Sequence, residues 1–87
     1  MPLEIVGDNS LDIVSQMRAA IEAAVVCHEL SIDSGSPGHF AIRVVSADFA
    51  DLGRVKQQRL IYGAIAHLME GDGAPVHAID RLECATP

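Results

Sequence analysis

The spacing of apolar side chains changes period along this chain, and each change marks an element. Val14, Met17, Ile21 and Ala24-Val25 recur at helical intervals, with Ser15, Gln16, Arg18 and Glu22 between them. This predicts an amphipathic helix of about four turns. Asn9 or Ser10 can cap it, and Asp12 suits its electropositive first turn. Residues 1–8 read as a mobile leader and 9–87 as one domain. From Val26 the period becomes two. Val26, His28, Leu30 and Ile32 alternate with Cys27, Glu29, Ser31 and Asp33, the signature of a half-buried strand. Residues 34–38 hold turn formers and no apolar side chain, which predicts the long, flexible tip of a hairpin. A second strand follows, with Phe40, Ile42 and Val44 on one face and His39, Ala41, Arg43 and Val45 on the other.

The segment 46–53 predicts a short capped turn of helix closed by Gly53, with Asp48 and Asp51 capping and solvating it. Helical spacing then returns from Val55 to about Glu70, with Val55, Leu60-Ile61, Ala64-Ile65 and Leu68-Met69 on the apolar side. The run Gly71-Asp72-Gly73-Ala74-Pro75 ends that helix. A last strand spans Val76 to about Cys84, and its spacing slips between Ile79 and Leu82, as a bulge would cause. A strand that returns to its sheet through a helix runs parallel, by a right-handed crossover. The expected fold is therefore two-layer α+β, in the order α-β-β-α-α-β, with a three-stranded mixed sheet.

Composition narrows the class. Of 87 residues 49% are hydrophobic, but aromatics are confined to Phe40, Phe49 and Tyr62, so the core must be aliphatic. No apolar run reaches the length of a membrane span and no basic-then-apolar signal opens the chain. A soluble, cytoplasmic protein is the expectation. Six Lys and Arg against twelve Asp and Glu give a net charge of −6, which disfavours non-specific nucleic-acid binding. Cys27 and Cys84 are too few and too far apart for a zinc motif. Without a secretory signal, reduced thiols are expected.

The candidate chemistry is histidine. His39 and His77 each begin a strand, and starts of parallel strands share a sheet edge. The two imidazoles can therefore face one metal or cofactor, provided the strand starts are irregular, because their side-chain parities differ. The plainer alternative is one half-buried, hydrogen-bonded histidine and one exposed loop histidine. His28 reads as a hydrogen-bonded sheet residue on the apolar side, and His67 as a solvated helix residue. Arg54, Lys56 and Arg59 open the long helix, where amides and cations together can hold a phosphate. That cluster also fits a solvated face. No phosphate loop, nucleophile elbow or metalloprotease helix is present, so an enzyme is not expected.

The series Gly38-His39-Phe40-Ala41-Ile42-Arg43-Val44-Val45-Ser46, then Phe49, Arg54-Val55-Lys56-Gln57-Gln58-Arg59-Leu60-Ile61-Tyr62, Val76-His77-Ala78-Ile79 and Thr86-Pro87 resembles the BolA family. The resemblance runs from about Leu30 to the C-terminus. It implies a class II KH-like fold and a role in partnership rather than catalysis. BolA-like proteins pair with monothiol glutaredoxins and share a bridging [2Fe–2S] cluster with glutathione, in iron–sulfur trafficking and iron-status regulation. The histidine of the His-Ala-hydrophobic motif, here His77, is then a cluster ligand. Imidazole can replace thiolate on one iron of such a cluster, and it must be neutral to do so, so acid should weaken assembly. The family's second ligand, a Cys or His in the hairpin loop, has no counterpart in residues 34–38. His39 is the nearest substitute. Gln58 stands where many members have His, and the last strand is one residue longer before Thr86-Pro87.

Two other functions compete. The family and its KH-like fold also suggest a nucleic-acid-binding transcriptional regulator in the stress response, using Arg54, Lys56 and Arg59 on DNA or RNA. No Gly-x-x-Gly loop of the KH type accompanies them. The plainest reading is an interaction module whose sheet edge docks a partner without metal.

Overall fold

The computed structural model describes residues 10–87, with side chains from residue 12 onward. The leader expected at 1–8 and the Asn9 cap lie outside the described residues. Helix α1 (Ser10–Ala24) is followed by β1 (Glu29–Ser34), β2 (His39–Val45) and a 3-10 turn at Ala47–Phe49. Helix α2 (Arg54–Ile65) tightens into a 3-10 turn at Ala66–Leu68, and β3 (Ala78–Ala85) closes the chain. The sheet order is β1-β2-β3. β1 and β2 form the expected antiparallel hairpin, pairing Leu30 with Val44 and Ile32 with Ile42. β2 and β3 are parallel, as the helical crossover between them requires. The described residues form an α+β fold, with two α-helices beside a three-stranded mixed sheet.

One face of the sheet carries the core. Phe40, Ile42 and Val44 alternate inward along β2 and meet Met17 and Ile21 of α1 and Ile61 and Ile65 of α2. Phe49 and Val76, from the connections, complete this cluster and are fully buried. Among the described residues no helix covers the other face, and its charged side chains pair across strands. Arg43 on β2 bonds Glu29 on β1 at 2.6 Å and lies 3.6 Å from Glu83 on β3. Such exposed pairs contribute at most about 1 kcal/mol each, but they keep this face polar.

The slip expected in the last strand is a bulge. Phe40 pairs with Ile79 and Ala41 with Arg81, so Asp80 is the extra residue. The hairpin tip differs from expectation. Only residues 35–38 separate the strands. The turn is closed by Gly35 N–H to the His39 carbonyl and His39 N–H to the Ser36 carbonyl, both at 2.9 Å.

Three apolar-face assignments are corrected. Val26 is 69% exposed and precedes β1. Its N–H is taken by the Asp48 carboxylate at 3.0 Å instead of a strand partner. His28 is also exposed and outside the strand. Its N–H reaches the Val45 carbonyl at 2.7 Å, but the core cover stops short of its side chain. Val55, in the first turn of α2, is 60% exposed. The inward position there belongs to Gln57, whose amide donates to the carbonyls of Phe49 and Leu52 at 3.1 and 2.9 Å. His67 is exposed, as its place on the helix suggested.

Candidate functional site

Parallel pairing brings the two strand starts together. His39 pairs in register with Ala78. The Gly38 carbonyl accepts from both His77 N–H, at 2.8 Å, and Ala78 N–H, at 3.0 Å. One backbone oxygen thus fastens the entry of β3 to the hairpin tip. Gly38 also decides where the His77 ring goes. It has φ +80°, and a Cβ there would stand 2.7 Å from His77 Cγ and 2.8 Å from Nδ1. The ring occupies space that any other residue's side chain would need. A non-glycine residue at this φ would also be strained by about 1–2 kcal/mol.

The two imidazoles differ in their attachments. His77 is exposed, and no side-chain hydrogen bond among the described residues reaches its ring. Both ring nitrogens are therefore uncommitted. His39 is half-buried, and its Nδ1 lies 3.0 Å from Asp80 Oδ1. The contact crosses the β2–β3 pair at the bulge: Asp80, the extra residue, lies two positions past Ala78, the register partner of His39. His39 and Asp80 are 41 positions apart in sequence.

Among the described residues no three His, Cys, Asp or Glu side chains converge closely enough to hold a metal ion. Iron held at His77 would need further ligands from a second molecule. The cysteines do not supply them. Burial pushes the Cys84 thiol above its ordinary pKa, disfavouring the thiolate that metals bind. Burial also raises Cys27, helped by Glu22 and Asp48 and opposed by Arg18. Cys84 lies near the far end of β3, about 20 Å along the strand from His77.

The basic cluster stands at that far end. Arg54, Lys56 and Arg59 are exposed, and among the described residues none is in an ion pair. The N-cap of α2 is Gly53, which makes no side-chain cap. A hollow of 380 Å³ opens between this helix start and the end of β3, lined by Arg54, Gln58, Glu83 and Cys84 among others. It is remote from the histidines. No helix among the described residues is long and apolar enough to cross a membrane.

Comparison with known proteins agrees with this architecture. The BolA-like protein family matches residues 12–87, while no curated protein matches the sequence. Among solved structures, a Bol-like protein from Babesia bovis is 26% identical, covering 99% of this chain and 91% of its own, with a TM-score of 0.72. BolA1 from Mus musculus is 25% identical over all of this chain and 76% of its own, at a TM-score of 0.73. BolA1 from Arabidopsis thaliana is also 25% identical, over 84% of this chain and 89% of its own, at 0.71. With a family match across nearly the whole described chain and the same fold in three of its relatives, the protein belongs to the BolA-like family.

Proposed function

We propose that this protein is a non-enzymatic partner of a monothiol glutaredoxin, lending His77 to a bridging [2Fe–2S] cluster in iron–sulfur trafficking and iron-status regulation. The observation that carries the reading is the state of His77. Its ring is exposed, free of hydrogen bonds among the described residues, and set against Gly38 at a fixed strand start. A ligand that completes another molecule's site needs those properties: access, an available lone pair and a defined position. His39, at the neighbouring strand start, is the candidate second ligand. The thiolates would come from the glutaredoxin and glutathione. When bound, such a cluster supplies iron and sulfide for transfer or one-electron chemistry.

The test is reconstitution. Iron and sulfide are supplied to the chain alone, to glutaredoxin with glutathione, and to the mixture. The expected result is a cluster in the mixture whose visible spectrum differs from that of glutaredoxin alone, and none on the isolated chain. A mixture spectrum identical to that of glutaredoxin alone would contradict the proposal.

A second reading is nucleic-acid binding through Arg54, Lys56 and Arg59, favoured by their lack of ion-pair partners among the described residues and by the open helix start. The net charge of −6 opposes it. It requires DNA or RNA binding that weakens with salt and with neutralisation of the three cations. Absence of binding at low ionic strength would eliminate it.

A further inference from the structure

The contact between His39 and Asp80 bears on which atom of His39 can meet a metal. A carboxylate has no proton to give, so a hydrogen bond from Nδ1 to Asp80 Oδ1 requires the proton to sit on Nδ1. In the neutral ring the lone pair is then on Nε2. This arrangement, a carboxylate holding one ring nitrogen while the other faces a metal, is how metal-ligating histidines are commonly oriented. Without such a partner, the tautomer of an exposed neutral imidazole is not fixed.

We propose that Asp80 is a positioning residue, holding His39 in the Nδ1–H form so that Nε2 serves as a second metal-binding position at the strand starts. Three observations converge on it. Asp80 is the extra residue of the β3 bulge, the point where β2–β3 register shifts. Its side chain is 57% exposed and that of His39 40% exposed, so the pair is open to a partner and is not a core contact. His39 pairs with Ala78, immediately after His77, which puts the oriented imidazole at the same edge as the free one. The parity expected for a regular strand does not bind His77, because it lies ahead of β3, which starts at Ala78. His39 stays on the face opposite Phe40 and is held there by Asp80, while His77, ahead of the regular strand, settles against Gly38. The inference rests on the shared-cluster reading, and its experiment separates the two.

The experiment has two readouts. In the free protein, two-bond proton–nitrogen NMR correlations at neutral pH report the tautomer of His39. The expected result is Nδ1–H in wild type and in Asp80→Asn, whose amide oxygen can still accept, with loss of that preference in Asp80→Ala. In the complex reconstituted with glutaredoxin and glutathione, Asp80→Ala and His39→Ala should each release cluster about ten-fold faster than wild type. Asp80→Asn should stay near wild type. Retention by Asn argues for orientation, since a purely charge-based role would be lost with the carboxylate. The proposal is overturned if wild-type His39 carries its proton on Nε2, or if Asp80→Ala leaves the tautomer unchanged. It is also overturned if His77→Ala weakens the cluster while Asp80→Ala and His39→Ala do not. If His77→Ala itself has no effect, the shared-cluster reading fails, and the second ligand position fails with it.

Discussion

The two ends of the parallel β2–β3 pair are built differently. Where the strands stop, Val45 and Ser46 are buried, and the Ser46 N–H bonds the Ala85 carbonyl at 2.9 Å. The Ser46 hydroxyl accepts from Asp48 N–H at 3.0 Å, and Phe49 is sealed beneath the turn. Where the strands start, the side chains are exposed or half-exposed histidines and Asp80, fixed by a shared Gly38 carbonyl and one hydrogen bond. The first end is buried and hydrogen-bonded, and the second leaves its ionisable side chains accessible. Substitutions at the two ends should therefore have separable effects: folding without ligation at one, ligation with little folding at the other.

The largest effect belongs to the buried end. Phe49→Ala should lower stability by about 3–5 kcal/mol, a large share of the roughly 5–15 kcal/mol a domain possesses. Urea unfolding checks this, and a loss below about 1 kcal/mol would mean that Phe49 does not anchor the core. Gly38→Ala should affect both folding and the His77 site. The left-handed backbone costs about 1–2 kcal/mol, and the new Cβ must displace the His77 ring. NMR of the His77 ring should report that movement. Gly35→Ala is its control, since the nearest atom to a Cβ there is 3.8 Å away. An unmoved His77 ring in Gly38→Ala would remove glycine from the account of the site.

Ser46→Ala should cost about 1 kcal/mol through loss of the cap and leave cluster release at the wild-type rate. A changed release rate would show that the two ends are coupled. The smallest effect is at Cys84. Burial raises its pKa, so the folded protein holds the thiol proton more tightly than the unfolded chain. Native stability from this group is complete below the unfolded thiol's range and declines as pH rises above about 8.5. Alkylation of Cys84 in the folded protein should accordingly be slower near pH 8 than that of the denatured chain. Equal rates would place Cys84 outside the buried end.

How much of this was legible in the sequence depends on whether a feature is local. Strand β2 could be read because Phe40, Ile42 and Val44 alternate and are in fact its buried face. The bulge could be read because one residue too many separates Ile79 from Leu82, and the register shift falls there. Parallel pairing followed from a helix between strands. Val26 and Val55 were misplaced because periodicity extends past the point where cover ends. Gln57 and Asp48 make long-reach bonds to backbone atoms, which spacing does not encode. At the candidate site, the shared edge of His39 and His77 was legible from topology. Asp80 as the partner of His39 was not, since it depends on the register of strands 41 positions apart. Gly38 read as one turn former among several, yet the ring it accommodates comes from the far side of a crossover helix.

The central claim is that His77 is a ligand delivered at a built strand edge. The most direct test is the visible circular dichroism of the glutaredoxin complex, reconstituted with wild type and with His77→Ala at matched iron and sulfide. His77 is exposed and makes no side-chain hydrogen bond among the described residues, so the variant should keep wild-type stability. The His77→Ala complex should lose the wild-type dichroic bands and revert to the spectrum of the glutaredoxin-bound cluster alone. Unchanged bands with a folded His77→Ala protein would contradict that claim.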